Sequence, residues 1–111
     1  MLKDRPNAPV IEVARALGAA GHVLVIVSGR SELARADTET WLARHLAVAY
    51  EGPYMRAGGD ERQDAIIKRE IYEREIAPRF TVLCVLDDRD QTVRMWRRLG
   101  LTCLQVAPGD F

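Results

Sequence analysis

Three short constellations in this 111-residue chain hold residue types suited to phosphate chemistry. The first is Ser28-Gly29-Arg30, which follows the apolar run His22–Val27. A hydroxyl, backbone amides and a guanidinium can together hold the oxygens of a phosphate. Gly29 would let the backbone approach it closely. The same three residues also suit an ordinary strand-to-helix turn. The second is Asp87-Asp88, after the apolar run Thr81–Leu86. Adjacent carboxylates repel unless compensated, and a hard cation such as Mg²⁺ would compensate them. Alternatively, one Asp caps the next helix and the other is solvated. The third is Lys68, one helical turn from Asp64, an (i, i+4) ion pair. It could neutralise a phosphate or simply face solvent.

Other chemically capable residues read as structural. His22 and His45 lack metal-ligand spacing, and Trp41 and Trp96 fall at helical core positions. Cys84 and Cys103 sit singly inside apolar runs, as expected of reduced core thiols in a cytoplasmic protein.

Composition bounds the class. Sixteen Lys and Arg balance 16 Asp and Glu, which excludes nucleic-acid binding by bulk positive charge but leaves room for a local basic site. At 48% hydrophobic residues the chain is too apolar for disorder and long enough for one cored domain. No apolar run is long enough to span a bilayer, so no membrane association is expected. Met1–Pro6 lacks the apolar stretch of a signal peptide.

The elements that must position these residues alternate. A helix containing Pro9 in its first turn carries Val10, Val13, Ala14 and Leu17 on one face and stops near Gly21. His22–Val27 is a strand of the doubly buried type. Asp37 is placed to cap a helix running to about Ala49, with Trp41, Leu42, His45 and Leu46 facing inward. Gly52-Pro53 ends that region, and Tyr54–Arg56 forms a short strand. A charged amphipathic helix covers about Arg62 to Ile76. Thr81–Leu86 is a second buried-type strand, Asp90 caps a helix through Leu99, and Leu101–Val106 is the last strand. This alternation predicts an α/β layered fold with a mostly parallel sheet, in which ligands bind beyond the carboxyl ends of the strands.

In this order, the segments VLVIVSGRSE, DAIIKREIYEREIAPRF and DDRDQTVRMWRRLGLTCLQVAPGDF resemble the haloacid-dehalogenase (HAD) phosphohydrolase superfamily. They are most similar to the 3′-phosphatase domain of bacteriophage-type polynucleotide kinase/phosphatases. The similarity runs from about Asn7 to Phe111, and DDR-x3-V-x2-WR-x-LG with QVAPGDF is its most specific part.

The resemblance implies a Rossmann-like three-layer sandwich and a Mg²⁺-dependent release of 3′-phosphate from DNA or RNA ends through an aspartyl-phosphate. Ser28 and Gly29 would bind the transferring phosphoryl group, and Arg30 the phosphate or the strand. Lys68 would offset charge on the phosphoryl oxygens and the nucleophile. Asp64 would orient Lys68 or a substrate-facing Arg62. Asp87 and Asp88 would hold Mg²⁺, one directly and the other by positioning.

One departure stands out. The family's first motif, Asp-x-Asp-Gly-Thr, which supplies the nucleophile, does not occur in these residues, and Asp4 is not placed to replace it. The P-loop of the kinase half is also absent from them. The expectation is therefore one N-terminally incomplete phosphatase domain over residues 1–111, inactive alone. Its missing central strand would be bypassed by direct pairing of its neighbours, or supplied by an upstream segment or a neighbouring chain, including a second copy. The competing expectation is a non-catalytic module that binds phosphorylated nucleic-acid ends or a protein partner. A phospho-acceptor receiver domain fits poorly, because there the acidic pair follows the first strand.

Overall fold

The computed structural model describes residues 7–111, so Asp4 lies outside the described residues. The chain divides into two compact units, Met1–Asp60 and Glu61–Phe111. Both are built from helices and parallel strands, the mixed α/β class that the alternation predicts.

In the first unit, α1 spans Ala8–Ala19, with Pro9 in its first turn and the Asn7 side chain accepting from the Val10 amide. Gly21 leaves the helix at φ 97°. The inward face is Val10, Ile11, Ala14 and Leu17, whereas Val13 is exposed. Strand β1 spans Val25–Ser31 and pairs in parallel with β2, Glu51–Arg56. Both depart from expectation for one reason, the register between them. Ser28 lies opposite Met55 and Ser31 opposite Arg56, so Ser28-Gly29-Arg30 is the end of the strand itself and not a turn after it. Gly52-Pro53, expected as a terminator, lies inside β2 at a register irregularity. Such an irregularity spares a proline the ladder bond it cannot make.

Ser31 then accepts from the Leu33 amide and caps a 3₁₀ turn, Glu32–Ala34, that leads into α2, Arg35–His45. Because Ser31 starts the helical path early, Asp37 falls within the first turn of α2 and does not cap it. Leu42 and Leu46 are buried, while Trp41 and His45 stay half-buried with their rings 4.8 Å apart.

In the second unit, α3 spans Asp64–Ile71 and continues into a π-helical turn, Tyr72–Ile76, closed by the Ala77 amide on the Tyr72 carbonyl. Strand β3, Val85–Asp87, pairs in parallel with β4, Cys103–Gln105. Between them α4, Asp90–Arg98, buries Thr92, Val93, Met95 and Trp96. Its apolar face packs with Tyr72, Val85, Leu101 and Cys103, and Trp96 meets Tyr72 edge-on at 6.0 Å. Both strands are shorter than the apolar runs suggested. Asp90 does not cap α4 either: Arg89 holds the cap position, and the Asp90 carboxylate accepts from Gln105 Nε2 at 2.6 Å.

A Cβ on Gly52 would lie 2.7 Å from the Ile26 carbonyl oxygen and 2.8 Å from the Tyr54 amide, at φ 97°. Gly52→Ala should therefore loosen the β1–β2 pair and cost roughly 1–3 kcal/mol, the usual range for overpacking. Urea unfolding of the variant against the parent measures it, and an unchanged midpoint would contradict this reading of the register.

Candidate functional site

The helical spacing of Asp64, Ile67, Lys68 and Ile71 puts all four on one face of α3, and that face is turned inward. Lys68 is thus not the solvent-facing lysine that a charged helix would suggest. Its side chain is 13% exposed, and its ammonium stands 3.3 Å from Asp64 Oδ2 and 3.2 Å from Asp87 Oδ2. Burial of an ammonium is tolerated when it is paired, and here two carboxylates share it. Arg89 Nη1 lies 3.8 Å from Asp64 Oδ2.

Asp87 is the last residue of β3, and four N–H donors reach its carboxylate. Oδ2 accepts from Lys68 Nζ and from the Trp96 indole at 3.0 Å, and Oδ1 from the amides of Asp88 at 2.8 Å and Arg89 at 3.4 Å. Burial pushes the Asp87 carboxyl up. The Lys68 charge, the Trp96 indole, the Asp88 amide and the Lys68 hydrogen bond together outweigh that and hold it below the ordinary carboxylate range. Sequence spacing marks Trp96 as packing only. Its N–H on Asp87 is a second role that needs the α4–β3 contact to be seen.

The two adjacent aspartates are therefore unequal. Asp87 is saturated with donors, whereas no donor meets the half-buried Asp88 carboxylate among the described residues. Neither acts as the cap of α4. No group of three or more His, Cys, Asp or Glu gathers as a ready metal cage among the described residues. Mg²⁺ does not require one, since it keeps several waters and takes one or two carboxylates with substrate phosphate. An open carboxylate at Asp88, with Asp87 fixed beside it, is a donor set that fits such an ion.

Arg62 is engaged elsewhere, since both its terminal nitrogens reach Glu70, at 2.5 and 2.9 Å. In the first unit, the Ser28 hydroxyl accepts from the Arg30 amide at 3.1 Å. Arg56 clamps this strand end by donating from Nε to the Gly29 carbonyl at 2.6 Å and from Nη1 to the Asp60 carbonyl at 2.9 Å. Arg30 projects as an exposed side chain. Sequence reading passes over Arg56, because nothing local ties it to a strand end 27 residues earlier. An open cleft of about 930 Å³ in this unit lies at the other, amino-terminal end of β1, lined by residues such as Arg15, His22 and Tyr50. None of the candidate residues lines it.

A family model described as the polynucleotide kinase PNKP phosphatase domain, of the HAD type, matches residues 1–111. The chain belongs to that family. It is 40% identical, with a TM-score of 0.94 over 99% of its length, to chains in two solved structures, "Structure of the Pnkp1/Rnl/Hen1 RNA repair complex" and "Structure of Pnkp1/Rnl/Hen1 complex". It is also 30% identical over 79 residues, 71% of its length, to a protein of Autographa californica nuclear polyhedrosis virus named "Putative bifunctional polynucleotide kinase/RNA ligase". The chain spans 11% of that viral relative and 35% and 38% of the two solved chains. The HAD phosphatase domain is thus one part of these larger proteins.

The depressed folded-state value of Asp87 makes a signed prediction. The stability it contributes is present above about pH 4, the unfolded-state value, and is lost as the pH falls through the lower folded-state value. In EDTA buffer, Asp87→Asn should cost roughly 1–3 kcal/mol at pH 7 and flatten the acid limb of urea-measured stability. An acid limb as steep as the parent's would refute the assignment.

Proposed function

We propose that this chain is one phosphatase domain that removes the 3′-phosphate from a polynucleotide end, acting with Mg²⁺ and with a nucleophilic aspartate contributed from outside these 111 residues. The observation that carries the reading is the Lys68 ammonium held between Asp64 and Asp87, with Asp88 following Asp87 in sequence. Phosphoryl transfer asks for positioning and charge neutralisation more than for covalent chemistry by each residue. In this reading Lys68 neutralises charge on the phosphoryl oxygens, and Asp64 and Asp87 are positioning residues that orient it. Mg²⁺, when bound, would be held by Asp88 and would withdraw charge from the phosphate. In the first unit, by the family resemblance, Ser28 and Gly29 offer a hydroxyl and an amide to phosphoryl oxygens, and the exposed Arg30 offers a guanidinium to the strand. Arg62 is fastened to Glu70, which supports a structural role for it over a substrate contact. RNA is the favoured nucleic acid, because one solved relative comes from a structure named for an RNA repair complex.

The Asp-x-Asp-Gly-Thr motif does not occur in the sequence, which supports the expectation that these residues alone do not form the aspartyl-phosphate. The test compares the chain alone with the chain extended by a segment that carries the motif. Phosphate release from a 3′-phosphorylated oligoribonucleotide should require both the extension and Mg²⁺. A completed protein that is silent on every phosphomonoester would overturn the enzymatic reading and leave a module that binds phosphorylated ends.

In the completed protein, Lys68→Ala should lower kcat by roughly 100-fold or more, the scale of losing one electrostatic stabiliser, while KM changes little. Asp88→Ala should raise the Mg²⁺ concentration needed for half-maximal rate. A Mg²⁺ requirement identical to the parent's would remove Asp88 as the ligand.

A further inference from the structure

The segment after β4 folds back over the acidic loop that follows β3. Gln105 Nε2 donates both to the Asp88 carbonyl at 2.9 Å and to Asp90 Oδ1 at 2.6 Å. The Asp90 amide donates to the Gly109 carbonyl at 2.5 Å. Gly109 runs so close to the loop that a Cβ there would collide with the Asp88 carbonyl oxygen, so only glycine fits. Gln91 Nε2 donates to the Phe111 carbonyl at 3.4 Å. These attachments deliver the Phe111 ring onto the Arg89 guanidinium, 4.6 Å from Cζ to the ring centroid. The same guanidinium stands 3.8 Å from Asp64, the partner of Lys68.

The Phe111 ring is 58% exposed. Arg89 covers one side of it and the rest faces outward. Such a ring, pinned by its own backbone and backed by a cation, is a ready stacking surface for a flat π system. A charged Arg89 lies against it and Asp110 precedes it in sequence, unlike the broad apolar patch of a protein-docking face.

We propose that Phe111, backed by Arg89, is a stacking platform for the nucleobase next to the phosphorylated end. The inference rests on the polynucleotide reading above and adds a base-contacting subsite to it. Stacking tolerates any base, so the platform would hold an end without reading its sequence.

The test uses the 111-residue chain and fluorescence anisotropy with two 3′-phosphorylated oligoribonucleotides, one intact and one with an abasic terminal nucleotide. The parent should bind the intact strand roughly tenfold more tightly, the scale of one base stack. Phe111→Leu should lose that preference while binding the abasic strand as the parent does, and Phe111→Trp should retain it. Equal binding of both strands by the parent would overturn the platform while leaving the polynucleotide reading in place. No binding of either strand, or binding only of a protein partner through Phe111, would overturn both.

Discussion

A buried ammonium between two carboxylates sets the terms for the second unit. Lys68 can lie on the inward face of α3 only because Asp64 supplies one anion from the same helix and Asp87 another from the end of β3. Removing either partner leaves a desolvated charge short of compensation, which costs more than the pair contributes net. The register of α3 against β3 is thereby constrained. Trp96 ties this polar cluster to the apolar core, since its buried ring packs with Tyr72 while its N–H is spent on Asp87. The core and the candidate site are one construction, in which packing α4 in place also fixes the carboxylate that orients the lysine.

The first unit solves a similar problem with different means. Its strand end at Ser28-Gly29-Arg30 is held by backbone-directed bonds, with Arg56 on the Gly29 carbonyl and the Ser28 hydroxyl on the Arg30 amide. In each unit the polar group of interest sits toward the carboxyl end of a parallel strand, the end at which open α/β sheets bind their ligands. A phosphate arriving at Ser28 would compete with an internal hydrogen bond to a neighbouring amide, an exchange of one acceptor for a stronger, charged one.

How much of this is legible in the sequence depends on the range of the interaction. The Asp64–Lys68 pair follows from helical spacing alone, and the placement of Asp87 follows from an apolar run ending in acid. The alternation of helix and strand carries the α/β class. What local pattern misses is set by distant partners. β1 extends through Ser28-Gly29-Arg30 because β2 offers it a ladder, and Gly52-Pro53 survives inside β2 because the register slips there. Asp90 looks like a cap, but Gln105 claims its side chain. Trp96, Arg56 and Gly109 have partners 9, 27 and about 20 residues away, which no window of local sequence joins.

The contrast between Asp87 and Asp88 shows how two identical side chains in sequence acquire different chemistry. Four donors converge on Asp87, so its charge is already spent on internal order, and an incoming cation would have to displace one of them. Asp88 gives its amide to Asp87 and its carbonyl to Gln105, so its backbone is fixed while its carboxylate is left open. Asp64 and Asp87 are matched by Lys68 and Arg89, whereas Asp88, next in sequence, has no donor on its carboxylate among the described residues. Environment splits paired carboxylates into distinct roles in this way. On the proposed reading, the fixed one positions the lysine and the open one meets the metal.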